Sequence, residues 1–233
     1  MTVVGDDRTS RLSVNVEPKP YQFYGRRMGH ALRRHHLQLI DELLAQLRVD
    51  LADPLRATTA PRWLEVGFGG GEHLAHQAEL HLDVSLIGAE PFVNGIAKLL
   101  ALIEAKQLTN VRIHDGDARD LLAALPAGSF QRIYLLYPDP WPKARHHKRR
   151  FVSPETLAAF HRSLEPGGQF LFASDIADYV EWTRDHVAAH GGFQTMSDGP
   201  EPFENWIETR YEKKARREGR TSAYLRYRWK MTE

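Results

Sequence analysis

The sequence predicts an α/β fold built on a doubly wound parallel sheet, and three observations carry that expectation. Short apolar segments of strand length alternate with segments whose apolar residues recur at helical spacing. Glycines and acidic residues gather immediately after the strands, where open α/β sheets bind ligands. The chain of 233 residues is long enough for one such domain and short for two.

Residues 1–20 are polar and unpatterned and end in Glu17-Pro18-Lys19-Pro20, which reads as a loosely ordered tail and leaves 21–233 as a single domain. Leu37, Ile40, Leu43, Leu44 and Leu47 share one helical face, so Arg33 to Leu47 is an amphipathic helix. Its start is basic, with Arg26, Arg27, Arg33, Arg34 and the histidines at 30, 35 and 36. Strands follow at Trp63–Val66, Val84–Gly88, Val111–Ile113, Ile133–Leu136 and Gln169–Ala173. Helices separate them at Glu72–Leu80, Val93–Ala105, Leu121–Leu125 and Pro154–Leu164, the last with Ser153 as its cap and proline at its first position. Tyr179–His190 is a further helix, and Phe193–Met196 and Ala223–Trp229 alternate like less buried strands.

Composition narrows the function. No apolar run approaches the ~20 residues that span a bilayer, and the N-terminus has no secretory h-region. Zero cysteines remove disulfide and thiolate chemistry and suit a cytoplasmic protein. His73-Leu74-Ala75-His76 and the pairs at 35/36 and 146/147 match no metal-ligand spacing, so no metal is expected. Net charge is only +1, so any preference for a polyanion must come from local clusters.

The first strand ends in Glu65-Val66-Gly67-Phe68-Gly69-Gly70-Gly71. Gly67 and Gly69 permit a tight turn and close approach of a ligand. The third glycine of a dinucleotide fingerprint is replaced by Glu72, and Glu65 and Glu72 suit a cationic head group better than a diphosphate. Glu90, after the second strand, stands where ribose hydroxyls are usually accepted. Asp117, beginning the helix after the third strand, can reach an adenine amine, whereas Asp115 reads as a turn residue. Asp139 follows the fourth strand and Asp175 the fifth. Acids at five strand ends with a glycine loop describe a site for S-adenosylmethionine, whose sulfonium is positive.

Beside that site lies Tyr137-Pro138-Asp139-Pro140-Trp141-Pro142, where three prolines stiffen the backbone and Trp141 offers a stacking face. Lys143, Arg145, Lys148, Arg149 and Arg150 follow with His146 and His147 and no acid. A second cluster spans Thr209-Arg210-Tyr211-Glu212 and the cations after it. Together with Arg26 to Arg34 these make a positive face suited to phosphates.

On Leu64-Glu65-Val66-Gly67-Phe68-Gly69, Pro138-Asp139-Pro140-Trp141, the run from Lys143 to Arg150, Ser174-Asp175 and Thr209-Arg210-Tyr211-Glu212, the chain resembles the bacterial tRNA (guanine-N7-)-methyltransferases over about residues 24 to 230. It differs in having Tyr137 where that family often has Phe, and Pro142 where His is commoner. The resemblance implies a class I methyltransferase, Rossmann-like, whose seven-stranded, mostly parallel sheet has one antiparallel strand in its last pair. It implies cofactor contacts at Glu65, Glu90, Asp117 and Asp139, with Asp139 catalytic. Substrate contacts fall at Lys143, Asp175 and Thr209 to Glu212, and Ala144 to Arg149, with Arg145, His146, His147 and Lys148, is the RNA-interacting segment. The family methylates a guanine in the tRNA variable loop and contains monomers and homodimers. Rival readings are a methyltransferase acting on a small molecule or protein, a nucleic-acid-binding protein that keeps the fold without catalysis, and a nicotinamide oxidoreductase, which Glu72 and the missing third glycine disfavour.

Overall fold

The structure is a computed structural model, and it describes residues 21–55 and 59–230. The tail expected over 1–20 lies outside the described residues.

Seven strands form one sheet in the order β3-β2-β1-β4-β5-β7-β6. They are β1 (Arg62–Val66), β2 (Ser85–Ala89), β3 (Val111–His114), β4 (Phe130–Leu136), β5 (Leu164–Ser174), β6 (Phe193–Gly199) and β7 (Ala223–Trp229). Pairing is parallel from β3 through β5, and β7 runs antiparallel to both β5 and β6. The chain moves outward from β1 to β3, then returns to place β4 on the other side of β1. That reversal is the switch point where ligands bind in such sheets.

Alternation along each strand divides the core between two faces. On one face Ile133, Leu135, Phe170 and Phe172 pack with α4 (Ala118–Ala124), α5 (Pro154–Ser163) and α6 (Ala177–His190). On the other, Tyr134, Leu136 and Leu171 share a core with α1 (Arg34–Leu47), α2 (Glu72–Leu80), α3 (Val93–Lys106) and the loop residues Phe203 and Trp206. The helix expected from Pro154 is present with a capping box, Ser153 accepting from the Thr156 amide and Thr156 accepting from the Ser153 amide.

Three elements differ from their sequence expectation. α4, expected over Leu121–Leu125, runs from Ala118 to Ala124, and Asp117 begins it as expected, its side chain capping the helix by accepting from the Arg119 amide at 3.0 Å. β5 starts at Leu164, five residues before the expected Gln169; within the added stretch Gly167 takes φ of 80°, and the register with β4 shifts between Phe130 and Arg132. The basic clusters are helical: Ala144–Arg149 forms a 3-10 turn and Arg210–Arg217 forms α7.

Candidate active site

A cleft of about 580 Å³ opens at the carboxyl ends of β1, β2 and β4. Its floor is the glycine turn after β1. Gly67 and Gly69 take φ of 69° and 57°, a region closed to most side-chain-bearing residues. A Cβ at Gly67 would meet nothing within 4 Å, so this backbone is bare toward the cleft. At Gly95, in the first turn of α3, a Cβ would lie 2.1 Å from the Gly69 carbonyl oxygen, so only glycine lets the helix seat against the turn.

Glu90 is buried and ties the turn to α3, accepting from the Gly69 amide at 2.8 Å and the Phe92 amide at 2.9 Å. Burial raises its pKa; the two amides oppose the rise and the charge of Asp139 adds to it. Asp117 also lines the cleft, with its carboxylate clamped by Arg119 at 2.9 and 2.6 Å. Glu65 stands apart from these. It is not among the cleft-lining residues; its carboxylate is within hydrogen-bond distance of His73 Nδ1 at 2.7 Å, and both side chains are buried. The His73 ring is flanked by Tyr134 and Trp206 at 4.9 and 5.2 Å. Among the described residues no group of three or more His, Cys, Asp or Glu is placed to hold a metal ion.

Asp139 lines the cleft and makes no hydrogen bond or ion pair with any described residue. Its side chain opens to the cleft, yet protein crowds it from the sides, and that desolvation holds its pKa above the ordinary range. The corner around it is more constrained than three prolines alone would make it. Tyr137 and Trp141 both adopt left-handed backbone, with φ of 49° and 43°. Each costs about 1–2 kcal/mol for an L-residue, so packing must hold them. Tyr137 donates its amide to Ala173 O at 2.7 Å and its hydroxyl to Ser222 at 2.9 Å, and its ring stacks on Tyr211. Burial pushes its phenol up to about 12. Trp141 meets Tyr24 edge-on at 6.1 Å, and the Arg149 guanidinium sits between the two rings at 4.5 and 4.9 Å.

The basic run therefore divides. Lys143, Arg145 and Lys148 are exposed, while His146 and His147 are half-buried against Trp141 and Trp182. Arg150, counted with the phosphate-facing cations on sequence grounds, is buried. It donates to Pro140 O at 2.9 Å, pairs with Asp178 and lies 4.9 and 5.0 Å over Tyr179 and Trp182. Its work is to anchor the corner from below.

The Thr209–Glu212 stretch divides similarly. Arg210 and Tyr211 line the cleft. Thr209 caps α7, and Glu212 uses both oxygens internally, accepting from Tyr224 at 2.6 Å and Trp206 at 2.7 Å. Asp175 is held by Arg220 at 2.7 Å and is not among the cleft-lining residues.

The chain is 51% identical over 217 residues to the tRNA (guanine-N(7)-)-methyltransferase of Agrobacterium fabrum, covering 88% of this chain and 94% of that one. The correspondingly named protein of Roseobacter denitrificans is 47% identical over 231 residues, covering 92% of this chain and 99% of the relative. A family model described as "Putative methyltransferase" matches residues 59–225. The chain belongs to the tRNA (guanine-N7-)-methyltransferase family. Solved structures similar to this family member include the 16S rRNA methyltransferase KamB, at TM-score 0.58 and 20% identity over 76% of this chain and 91% of that one. A 16S rRNA (adenine(1408)-N(1))-methyltransferase from Catenulisporales acidiphilia, solved with its cosubstrate SAM, gives 0.54 and 19% over 74% and 87%. At such identities these neighbours establish the class I methyltransferase fold, and the seven-stranded order above matches that expectation.

One wall of the family member's cleft was invisible in its sequence. Gln22 to Arg26 line the cleft, held by Tyr24 on Trp141 and by Tyr21, whose ring lies 3.9 Å from the Arg119 guanidinium and whose hydroxyl donates to Asp120. Only the density of aromatics in Tyr21-Gln22-Phe23-Tyr24, just after the tail, hinted at a docked segment.

Proposed function

We propose that this chain transfers a methyl group from S-adenosylmethionine to N7 of a guanine in the variable loop of tRNA. The observation that carries the reading is Asp139, an unpaired, partly desolvated carboxylate on a strained corner between a glycine-floored cleft and an exposed basic turn.

The cleft suits the cofactor on its own chemistry. Gly67 leaves open space where a Cβ would stand, and acids rather than cations dominate the strand ends. When bound, S-adenosylmethionine supplies a methyl group activated on a sulfonium cation. Glu90 retains lone pairs for ribose hydroxyls after accepting two amides. Asp117 offers a carboxylate edge to the adenine side, although Arg119 already takes most of it.

Guanine N7 carries a lone pair and no proton, so the chain needs no general base; its tasks are to position the base and balance charge. Asp139 accepts hydrogen bonds from the guanine and offsets the positive charge that develops on the purine. Trp141 and Tyr211 offer faces on which the base stacks. Lys143, Arg145 and Lys148 hold flanking phosphates, and Arg210 faces the cleft between them and the glycine turn. All these groups come from one chain, so a single copy suffices for a complete site, whether the protein works as a monomer or a homodimer. The described helices contain none long and apolar enough to cross a membrane, and with tRNA as substrate we place the enzyme in the cytoplasm.

The test is methyl transfer from labelled cofactor to unmodified tRNA, with nucleoside analysis of the product. Asp139→Ala should lose at least ~100-fold in turnover, the scale of one preorganised electrostatic contact. Near wild-type turnover, or methyl at a position other than N7, would overturn the reading. Activity insensitive to salt would favour a small-molecule or protein substrate instead, and failure to bind S-adenosylmethionine would favour a non-catalytic RNA binder.

A further inference from the structure

The register of five neighbouring strands aligns Trp63, Arg132, Gln169, Arg228 and Gln194 in one row across the sheet. Residues directly opposite one another leave the same face, here the face that carries Tyr134. Of the helices on this face, α1 packs on β3 and α2 on β2, and α3 packs against both helices. Arg132 and Gln169 are therefore only half-buried, and Arg228 and Gln194 are exposed. One row nearer the cleft stands Arg226, opposite Leu171.

The chemistry of the row is one-sided. Every member can donate a hydrogen bond and none is an acid. Trp63 is 5% exposed, and its indole Nε1 is enclosed without a partner among the described residues, as is Arg226 Nε. The nearest carboxylate in register, Glu65 opposite Tyr134, is already engaged by His73. A shallow cleft of about 640 Å³ adjoins Arg228, with Gln194 and Lys230 on its rim. Arg132 and Arg228 stand two strands apart, roughly 10 Å, and the row lies about 17 Å along β4 from the corner at Tyr137, taking ~4.8 Å between strands and ~3.3 Å per residue.

Resting on the tRNA reading above, we propose that the open part of this row, from Arg132 through Gln169 and Arg228 to Gln194 with Arg226 beside it, is a second RNA-docking surface, which grips backbone phosphates of the same tRNA whose guanine enters the cleft, while the buried Trp63 only backs the Arg132 guanidinium at 4.2 Å. Donors without acids recognise phosphate, and cations held at sheet spacing contact a folded RNA without reading its bases.

The test compares wild type with Arg228→Glu and with Arg226→Glu/Arg228→Glu, using full-length unmodified tRNA across a salt series. Each lost phosphate contact should lower the slope of log affinity against log salt by about one unit, so the double variant should lose about two and bind tRNA at least ~10-fold more weakly. S-adenosylmethionine affinity, and turnover at saturating tRNA, should stay within twofold. Should the double variant fold poorly, Arg228→Glu alone, on an exposed side chain, should still lower the slope by about one. An unchanged slope and affinity in a folded variant overturns the proposal. So does a wild-type dimer that the substitutions split into monomers, since the face would then join two copies. If wild type itself leaves no 7-methylguanine in tRNA, the functional reading fails, and that result is separate from any effect of these variants.

Discussion

Arg150→Met isolates the anchor beneath the corner from Tyr137 to Pro142. Three contacts are lost. The charge-assisted hydrogen bond to Pro140 O, at 2.9 Å, contributes about 1.5–3 kcal/mol. The stack over Tyr179 and Trp182 contributes about 0.5–2 kcal/mol. The ion pair with Asp178 contributes little, because that carboxylate is 63% exposed and such pairs give about 0–1 kcal/mol. Methionine refills most of the volume and removes the cost of burying a charge, which offsets part of the loss. The net expectation is a destabilisation of about 2–3 kcal/mol, or roughly 5–10 °C in Tm for a chain of this size. Turnover should fall further than stability alone explains, since Pro140 adjoins Asp139. Urea and thermal unfolding give the first quantity, and single-turnover methyl transfer at saturating tRNA gives the second. Asp178→Asn is the control and should cost less than 1 kcal/mol. If it costs as much as Arg150→Met, or if Arg150→Met leaves both Tm and turnover unchanged, the corner is not held from below in this way.

Three further outcomes follow from the same geometry. Glu212→Gln weakens its bonds to Tyr224 and Trp206 and should lower kcat several-fold while leaving the KM for tRNA near wild type; a raised KM with unchanged kcat would make Glu212 a substrate contact. Gly95→Ala drives a Cβ into the Gly69 carbonyl and should cost about 1–3 kcal/mol and most of the cofactor affinity, measured by calorimetry. Burial raises the pKa of Asp139 and Glu90 in the folded state, so the fold favours their protonated forms. Their contribution to stability is present below the ordinary carboxylate range and is lost as pH rises through the raised values. Asp139→Asn should therefore be more stable than wild type at neutral pH, with the difference vanishing on acidification, while cofactor affinity in wild type strengthens over the same rise in pH.

The parts of this molecule governed by near neighbours were legible in its sequence. Ser153-Pro154 announced a helix start because a cap needs only three residues, and the glycine turn with Glu90 and Asp139 followed from strand ends that periodicity located. Side-chain partnering across the fold was not legible. Nothing in periodicity says that Glu65 will meet His73, that Asp175 will meet Arg220, or that Arg150 will turn inward while its neighbours stay exposed. Those outcomes depend on which elements the sheet order brings together. The left-handed backbone at Tyr137 and Trp141 was hidden for a related reason: propensity argues against it, and only ring contacts from distant segments sustain it.

The docking of Tyr24 on Trp141 sets the smallest unit that keeps the cleft walled. A fragment beginning at β1 would keep every strand of the sheet and every acid at its edge, and by composition would look complete. It would lack the ring that meets Trp141 and helps flank the Arg149 guanidinium, the contact of Tyr21 with Arg119 beside Asp117, and one side of the cleft. The contacts that wall the cleft thus begin at Tyr21, some forty residues ahead of the first strand.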